Sequence, residues 1–165
     1  MTDAQTADEL HQRLAIDTLH CTYAELLDTG RAAEIGPSLC TPDVVWDHGS
    51  GMPTVQGADA VSDLLVMMTS RYEGTMHALT NTLATLDGDH AHSRTYLQAY
   101  HWLPVPNGGG SPRPADFVTT GVYIDDLKRT AQGWRIARRL RRNVGPSPLG
   151  VGRLPDFMQG IGGRE

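Results

Sequence analysis

Asp28, His77 and His101 are the residues whose types and positions best suit acid–base chemistry in this sequence. Imidazole titrates near neutrality, and a carboxylate beside it can orient it and make it more basic. Asp28 falls at the C-terminal end of a helical-period stretch, beside Leu26-Leu27, which draws that helix end toward the interior. A carboxylate there opposes the helix macrodipole, typically by about 0.3–1 kcal/mol, at an end that would suit Lys or Arg. His77 and Asn81 share one face of a period-two stretch with Leu79 and Leu83, and polar groups on a leucine-lined face require partners or a cavity. His101 shares a small, apolar face with Ala99, Leu97 and Thr95, opposite Arg94, Tyr96, Gln98, Tyr100 and Trp102. A buried carboxylate and two histidines on neighbouring strands suffice for general acid–base work.

Other chemistries find less support. Asp47-His48, His90 and His92 are metal ligands by type, but each borders a turn, and no HExxH pattern is present. There is no GxSxG, and neither Cys21 nor Cys40 has an evident base beside it. Both cysteines read as buried free thiols. Gly108-Gly109-Gly110 lacks the lysine and the following helix of a phosphate loop. Neither metal nor cofactor is expected. In the arginine-rich segment, strict alternation puts Trp134, Ile136, Arg138 and Leu140 on one face and Arg135, Ala137, Arg139 and Arg141 on the other. Arg138 on the apolar face is the candidate to bind an anionic part of a ligand or pair with a buried carboxylate.

The elements that must position these groups follow from periodicity. Residues 8–29 read as a helix, capped by Thr6 or Asp8 and stopped by Gly30, with Leu10, Leu14, Ile16, Leu19, Tyr23, Leu26 and Leu27 as its apolar stripe. A short helix over 31–39, a turn at Thr41-Pro42-Asp43, a strand over 44–48 and a helix over 58–72 follow. The period then changes to two. Strands are predicted over 76–86, 92–103, 116–127 and 134–143, the first two joined through Asp87-Gly88-Asp89. Residues 104–115 and the segment from 145 to 165 are rich in Gly and Pro, the second reading as an irregular C-terminal arm. Residues 1–7 read as a flexible lead-in. Helices followed by antiparallel strands make an α+β pattern, and a strongly bent sheet with helices across its concave side encloses a conical pocket.

Composition is consistent with such a hollow. The 165 residues suffice for one domain and contain 7 His and 18 Gly but only 2 Phe. A net charge of −5, from 14 Lys+Arg against 19 Asp+Glu, speaks against a nucleic-acid partner. No apolar run is long enough to cross a membrane, and the polar start Met1–Gln5 is unlike a signal or transit peptide, so the cytoplasm is the expected location.

Tyr23–Asp28, Thr41–Asp47, Gly57–Ala60, Thr75–Asn81 and Gly133–Ile136, in that order and spacing, resemble the SnoaL-like branch of the NTF2-like superfamily over most of the chain. Within it the sequence is most similar to the scytalone dehydratase group, which includes a dehydrochlorinase. The resemblance implies a cone-shaped α+β domain and an Asp–His pair, with Asp28 orienting and charging His77, which removes a proton. His101 corresponds to a second histidine near the departing hydroxyl. Two tyrosines of the dehydratase are replaced, one by Leu27 and one near His48. The expected substrate is a small cyclic or polyketide-like molecule, contacted by Tyr23, Trp46, His48, Asn81, Tyr123 and Arg138. A lyase or isomerase activity is implied, with a non-catalytic ligand- or protein-binding module and an aldol cyclase as alternatives. Members commonly associate through the exposed sheet face, which implies a homodimer or homotrimer.

Overall fold

The apolar spacing of the first helix decides which of its faces meets the sheet. In the computed structural model, which describes residues 3–49, 52–106 and 112–144, α1 runs Asp3–Asp28. Ile16, Leu19, Tyr23, Leu26 and Leu27 recur at three- and four-residue steps and are buried. Traced toward the N-terminus, that stripe passes through Gln12 and Arg13. Leu10 and Leu14, expected on it, are instead 63% and 65% exposed. Trp134 Nε1–H donates to Gln12 Oε1 at 3.0 Å, and Arg13 donates to the Ala84 carbonyl, so polar bonds join this end of α1 to the sheet. The helix starts earlier than expected, placing Thr6 and Asp8 inside it and making residues 3–7 helical rather than a flexible lead-in.

Gly30, at φ +74°, ends α1. Its N–H donates to Leu27 O at 3.2 Å and the Arg31 N–H to Leu26 O at 2.8 Å, a Schellman closure. The closure turns the chain immediately after Asp28 and leaves that carboxylate beside the sheet.

A 3-10 turn at Ala32–Glu34 leads into α2 (Ile35–Leu39), then β1 (Cys40–Asp47), β2 (Val55–Gln56) and α3 (Ala58–Thr69). Thr41-Pro42-Asp43, expected as a turn, lies inside β1 as an irregular stretch, across which the pairing jumps from Cys40–Ile136 to Val45–Arg138. Cys40 is buried as expected, whereas Cys21 lies on the outer face of α1 and is exposed. Val61, Leu64 and Leu65 bury the inner face of α3. The Ser62 hydroxyl accepts from the Gly36 N–H at 3.1 Å and donates to Ala33 O at 2.9 Å, locking α2 to α3.

Four long strands follow: β3 (Gly74–Asp87), β4 (His90–Trp102), β5 (Phe117–Thr130) and β6 (Gly133–Asn143). The sheet order is β2-β1-β6-β5-β4-β3, antiparallel except for β1 against β6. The curved sheet and the helices form one mixed α+β layer pair. Two bulges change which side chains face the helices. In β3 the register with β4 slips between Thr80 and Leu83, and Asn81 takes φ +55° at the slip. In β6 the partner of Leu127 is Ile136 but the partner of Asp126 is Arg138, leaving Ala137 as an extra residue. Each bulge inverts the in/out alternation beyond it. The C-terminal arm expected over 145–165 and the Gly108–Gly110 run lie outside the described residues. No described helix is long and apolar enough to cross a membrane.

Candidate active site

Asp28, as the last residue of α1, meets the start of β3. Its Oδ1 accepts from the His77 ring Nδ1–H at 2.6 Å and from the Thr75 hydroxyl at 2.9 Å, and its Oδ2 accepts from the His77 backbone N–H at 2.7 Å. Thr75 and His77 are two apart on one strand, so period-two geometry aims both at the same carboxylate. Burial raises the Asp28 pKa, but the bonds from His77 and Thr75 outweigh it and hold the carboxyl below its ordinary value. Asp28 is therefore ionised, and the proton in the short contact belongs to His77 Nδ1. Nε2 is the ring nitrogen left for the pocket that His77 lines.

That pocket is open at its mouth. Its helical wall consists of Tyr23 and Leu27 from α1, Leu65, Met68 and Thr69 from α3, and Tyr72 just beyond. Thr75, Leu97, Ala99, Thr119 and Tyr123 form the sheet wall, with His48 following β1. The lining is mainly apolar with a few convergent polar groups, the usual make-up of a small-molecule site.

His101 projects from β4 with its predicted neighbours Thr95, Leu97 and Ala99, all buried. Its ring stacks on Phe117 with centroids 4.4 Å apart and planes 5° from parallel, and lies 4.7 Å from Tyr72 and 6.3 Å from His77. Burial, helped by the nearby His77 and Arg141, pushes its pKa down to about 4, so it is neutral at pH 7. Its Nδ1 has no hydrogen-bond partner among the described residues, nor does Nδ1 of His48. Burial and the fields of Arg141 and Arg139 hold His48 neutral too, with a pKa of about 3.

Behind the pocket, Arg139 is held by Asp125 through Nε to Oδ1 at 2.8 Å and Nη2 to Oδ2 at 2.6 Å, both residues being fully buried. Its guanidinium packs on Tyr23, Trp46 and Tyr123 at 4.4, 4.8 and 4.2 Å from the ring centroids. Nη2–H also reaches His20 Nδ1 at 3.3 Å, leaving His20 Nε2–H to donate to Ser93 Oγ at 3.2 Å. Tyr23 and Tyr123 join their hydroxyls at 3.3 Å across this cluster. The cluster fixes the two tyrosines that face the cavity.

Of the residues singled out from sequence, Tyr23, His48, His77, His101 and Tyr123 line this pocket, and Asp28 stands directly behind His77. Trp46 is fully buried in the second layer, against Tyr23 and Arg139, and does not reach the cavity. Asn81 is exposed, because the β3 bulge takes it off the His77 face. Arg138 is also exposed, because the extra residue Ala137 inverts the pattern and turns Arg139 and Arg141 inward. Tyr72, Thr75 and Arg141 belong to the site but were not singled out. Thr75 was readable two positions before His77, whereas the inward turn of Arg141 depends on a bulge that carries no residue signature.

A curved α+β sheet whose pocket is lined by an imidazole held from behind by a carboxylate defines a recognisable class of small-molecule site. The profile of the SnoaL-like domain family matches residues 8–140, and the chain belongs to that family. Among solved structures it is similar to the Kfla4162 protein of Kribbella flavida, with 27% identity and a TM-score of 0.72 over 87% of this chain and 94% of that one. It is also similar in fold to a candidate scytalone dehydratase from Novosphingobium aromaticivorans, with 20% identity and a TM-score of 0.68 over 91% and 99% of the two chains. A hexachlorocyclohexane dehydrochlorinase, LinA type 2, aligns with 19% identity and a TM-score of 0.72 over 91% and 97%. No curated protein matches the sequence. The NTF2-like α+β architecture expected from the sequence is thereby established.

Proposed function

We propose that this protein is a cofactor-independent acid–base enzyme of lyase or isomerase type, acting on a small cyclic or polyketide-like metabolite. The observation that supports this most directly is the Asp28 carboxylate accepting both the ring Nδ1–H and the backbone N–H of His77. That arrangement fixes the tautomer that leaves Nε2 as a base. It also stabilises the imidazolium that forms when Nε2 takes a proton. In the proposed reaction a C–H bond breaks and its proton goes to His77 Nε2. The electron pair forms a double bond as a neighbouring substituent leaves, or the proton returns at another carbon. Elimination is the chemistry named for two of the structural neighbours, which favours the first outcome.

His101 is neutral, so its role in this scheme is hydrogen bonding rather than delivery of a cationic proton. A neutral imidazole N–H can hold a developing oxyanion or a leaving oxygen, and the Phe117 stack restricts the ring to one plane. The test is a turnover screen of wild type, His77→Ala and Asp28→Asn on hydroxylated aromatic and polyketide-type ketones. Both variants should lose about 10²–10⁴-fold in rate on any substrate the wild type turns over. Equal turnover by all three would remove the dyad from the mechanism.

A further inference from the structure

Two inward arginines follow the β6 bulge, and they differ in one respect. Arg139 has Asp125 as its counter-ion. Arg141, only 5% exposed and lining the pocket, has none among the described residues. Its single hydrogen bond there is from Nη1–H to Asn143 Oδ1 at 2.7 Å, which leaves the Nε–Nη2 edge without an acceptor. A guanidinium stays charged at any physiological pH, and a buried charge without a counter-ion is costly to keep. Burial lowers the Arg141 pKa, and the neighbouring Tyr123 and Tyr23 offset this only in part.

Two further groups of the same cavity are unpartnered. The Nδ1 atoms of His48 and His101 are buried without acceptors or donors among the described residues, and the Arg141 charge acts on both rings. No carboxylate lines this cavity among the described residues, and Asp28, occupied by Thr75 and His77, faces the adjoining groove instead. Among the described residues the cavity therefore carries one positive charge without a counter-ion, an open guanidinium edge and two neutral imidazoles with unused nitrogens. A planar group with two anionic oxygens fits that set, because it can take two parallel N–H bonds from one edge of a guanidinium.

We infer that the pocket takes a substrate bearing a carboxylate, which Arg141 binds as its counter-ion. Arg141 is then a specificity-determining residue, and neutral analogues of the substrate are rejected because they leave it unpaired. The inference rests on the reading of this pocket as a substrate site and narrows the substrate to an acid.

The probes are 2-naphthoate and 2-naphthamide, a carboxylate and its neutral counterpart of nearly the same shape, with binding followed by calorimetry at pH 7. Wild type should bind 2-naphthoate about 10- to 100-fold more tightly than 2-naphthamide, the span of one or two charge-assisted bonds. Arg141→Met and Arg141→Gln should bring the ratio close to one. Arg138→Met, which removes an exposed arginine three positions away on the same strand, should leave it unchanged. A carboxylate preference that survives when no variant or substrate shows turnover would sink the catalytic reading and spare this one. Wild type that binds the two probes equally, prefers the amide or fails to bind 2-naphthoate overturns the inference, even if neither Arg141 variant folds. So does a preference that persists in a folded Arg141 variant.

Discussion

Lowering the pH from 7 to 5 should destabilise this protein through its buried histidines. His20 and His101 are 1% and 7% exposed, and burial holds each pKa at about 4, against 6.5 in an unfolded chain. Above pH 6.5 both states are neutral at these positions and nothing is lost. Between 6.5 and 4 the unfolded chain binds protons that the folded protein refuses, so stability falls as the pH falls. At pH 5 the gap is about 1.5 pH units per histidine, or about 2 kcal/mol each and roughly 4 kcal/mol for the pair. His48, held at about 3, acts in the same direction. Asp28 is held below its ordinary value, so its share is lost only at still lower pH. Urea unfolding at pH 7 and pH 5 measures the difference. His101→Phe replaces the ring by one that stacks equally well between Phe117 and Tyr72, and should shrink the pH-dependent loss by about 2 kcal/mol. Equal stability of wild type at the two pH values would show that these histidines are not buried as neutral groups.

Asp125→Asn leaves the Arg139 guanidinium buried without its counter-ion and should cost about 3–5 kcal/mol in urea unfolding at pH 7. Gly36→Ala would drive its methyl group into the Ala58 carbonyl and the Ser62 hydroxyl at the α2–α3 contact, costing about 1–3 kcal/mol in the same assay. On a substrate found by the turnover screen, His101→Ala should lower kcat about 10²–10³-fold, which steady-state kinetics would show, if its N–H holds a developing oxyanion.

The helix-then-strand order, the long antiparallel strands and the inward face of β4 were legible because each rests on a periodicity that tolerates error at its ends. Asp28 and His77 were legible because one sits at a helix terminus marked by Gly30 and the other on the first regular turns of β3, before any bulge. What escaped was the phase beyond the bulges. One extra residue at Ala137 exchanges Arg138 for Arg139 and Arg141, and one at Asn81 moves that side chain out to solvent. Neither position has a residue type that announces a bulge. Asn tolerates positive φ, but nothing about a lone Asn in a strand requires it. Trp46 was misplaced by one layer for a different reason. It lies in the part of β1 that was expected as a strand, but the Arg139 guanidinium that separates its ring from the cavity comes from a strand remote in sequence. Cys21 and Leu14 show the same limit on α1, where the stripe was seen but its edges were drawn too wide.

In the proposed reaction His77, held by Asp28, takes a proton from carbon. This step is tested most directly by deuterium incorporation at the carbon next to the carbonyl of cyclic ketones with and without a carboxylate substituent in D₂O, followed by NMR with wild type, His77→Ala and Asp28→Asn. Wild type should exchange well above buffer, both variants should lose about 10²–10⁴-fold, and His77→Ala should recover in part on addition of free imidazole. Exchange at the same rate in all three proteins, or none above buffer in wild type across the panel, would contradict that step.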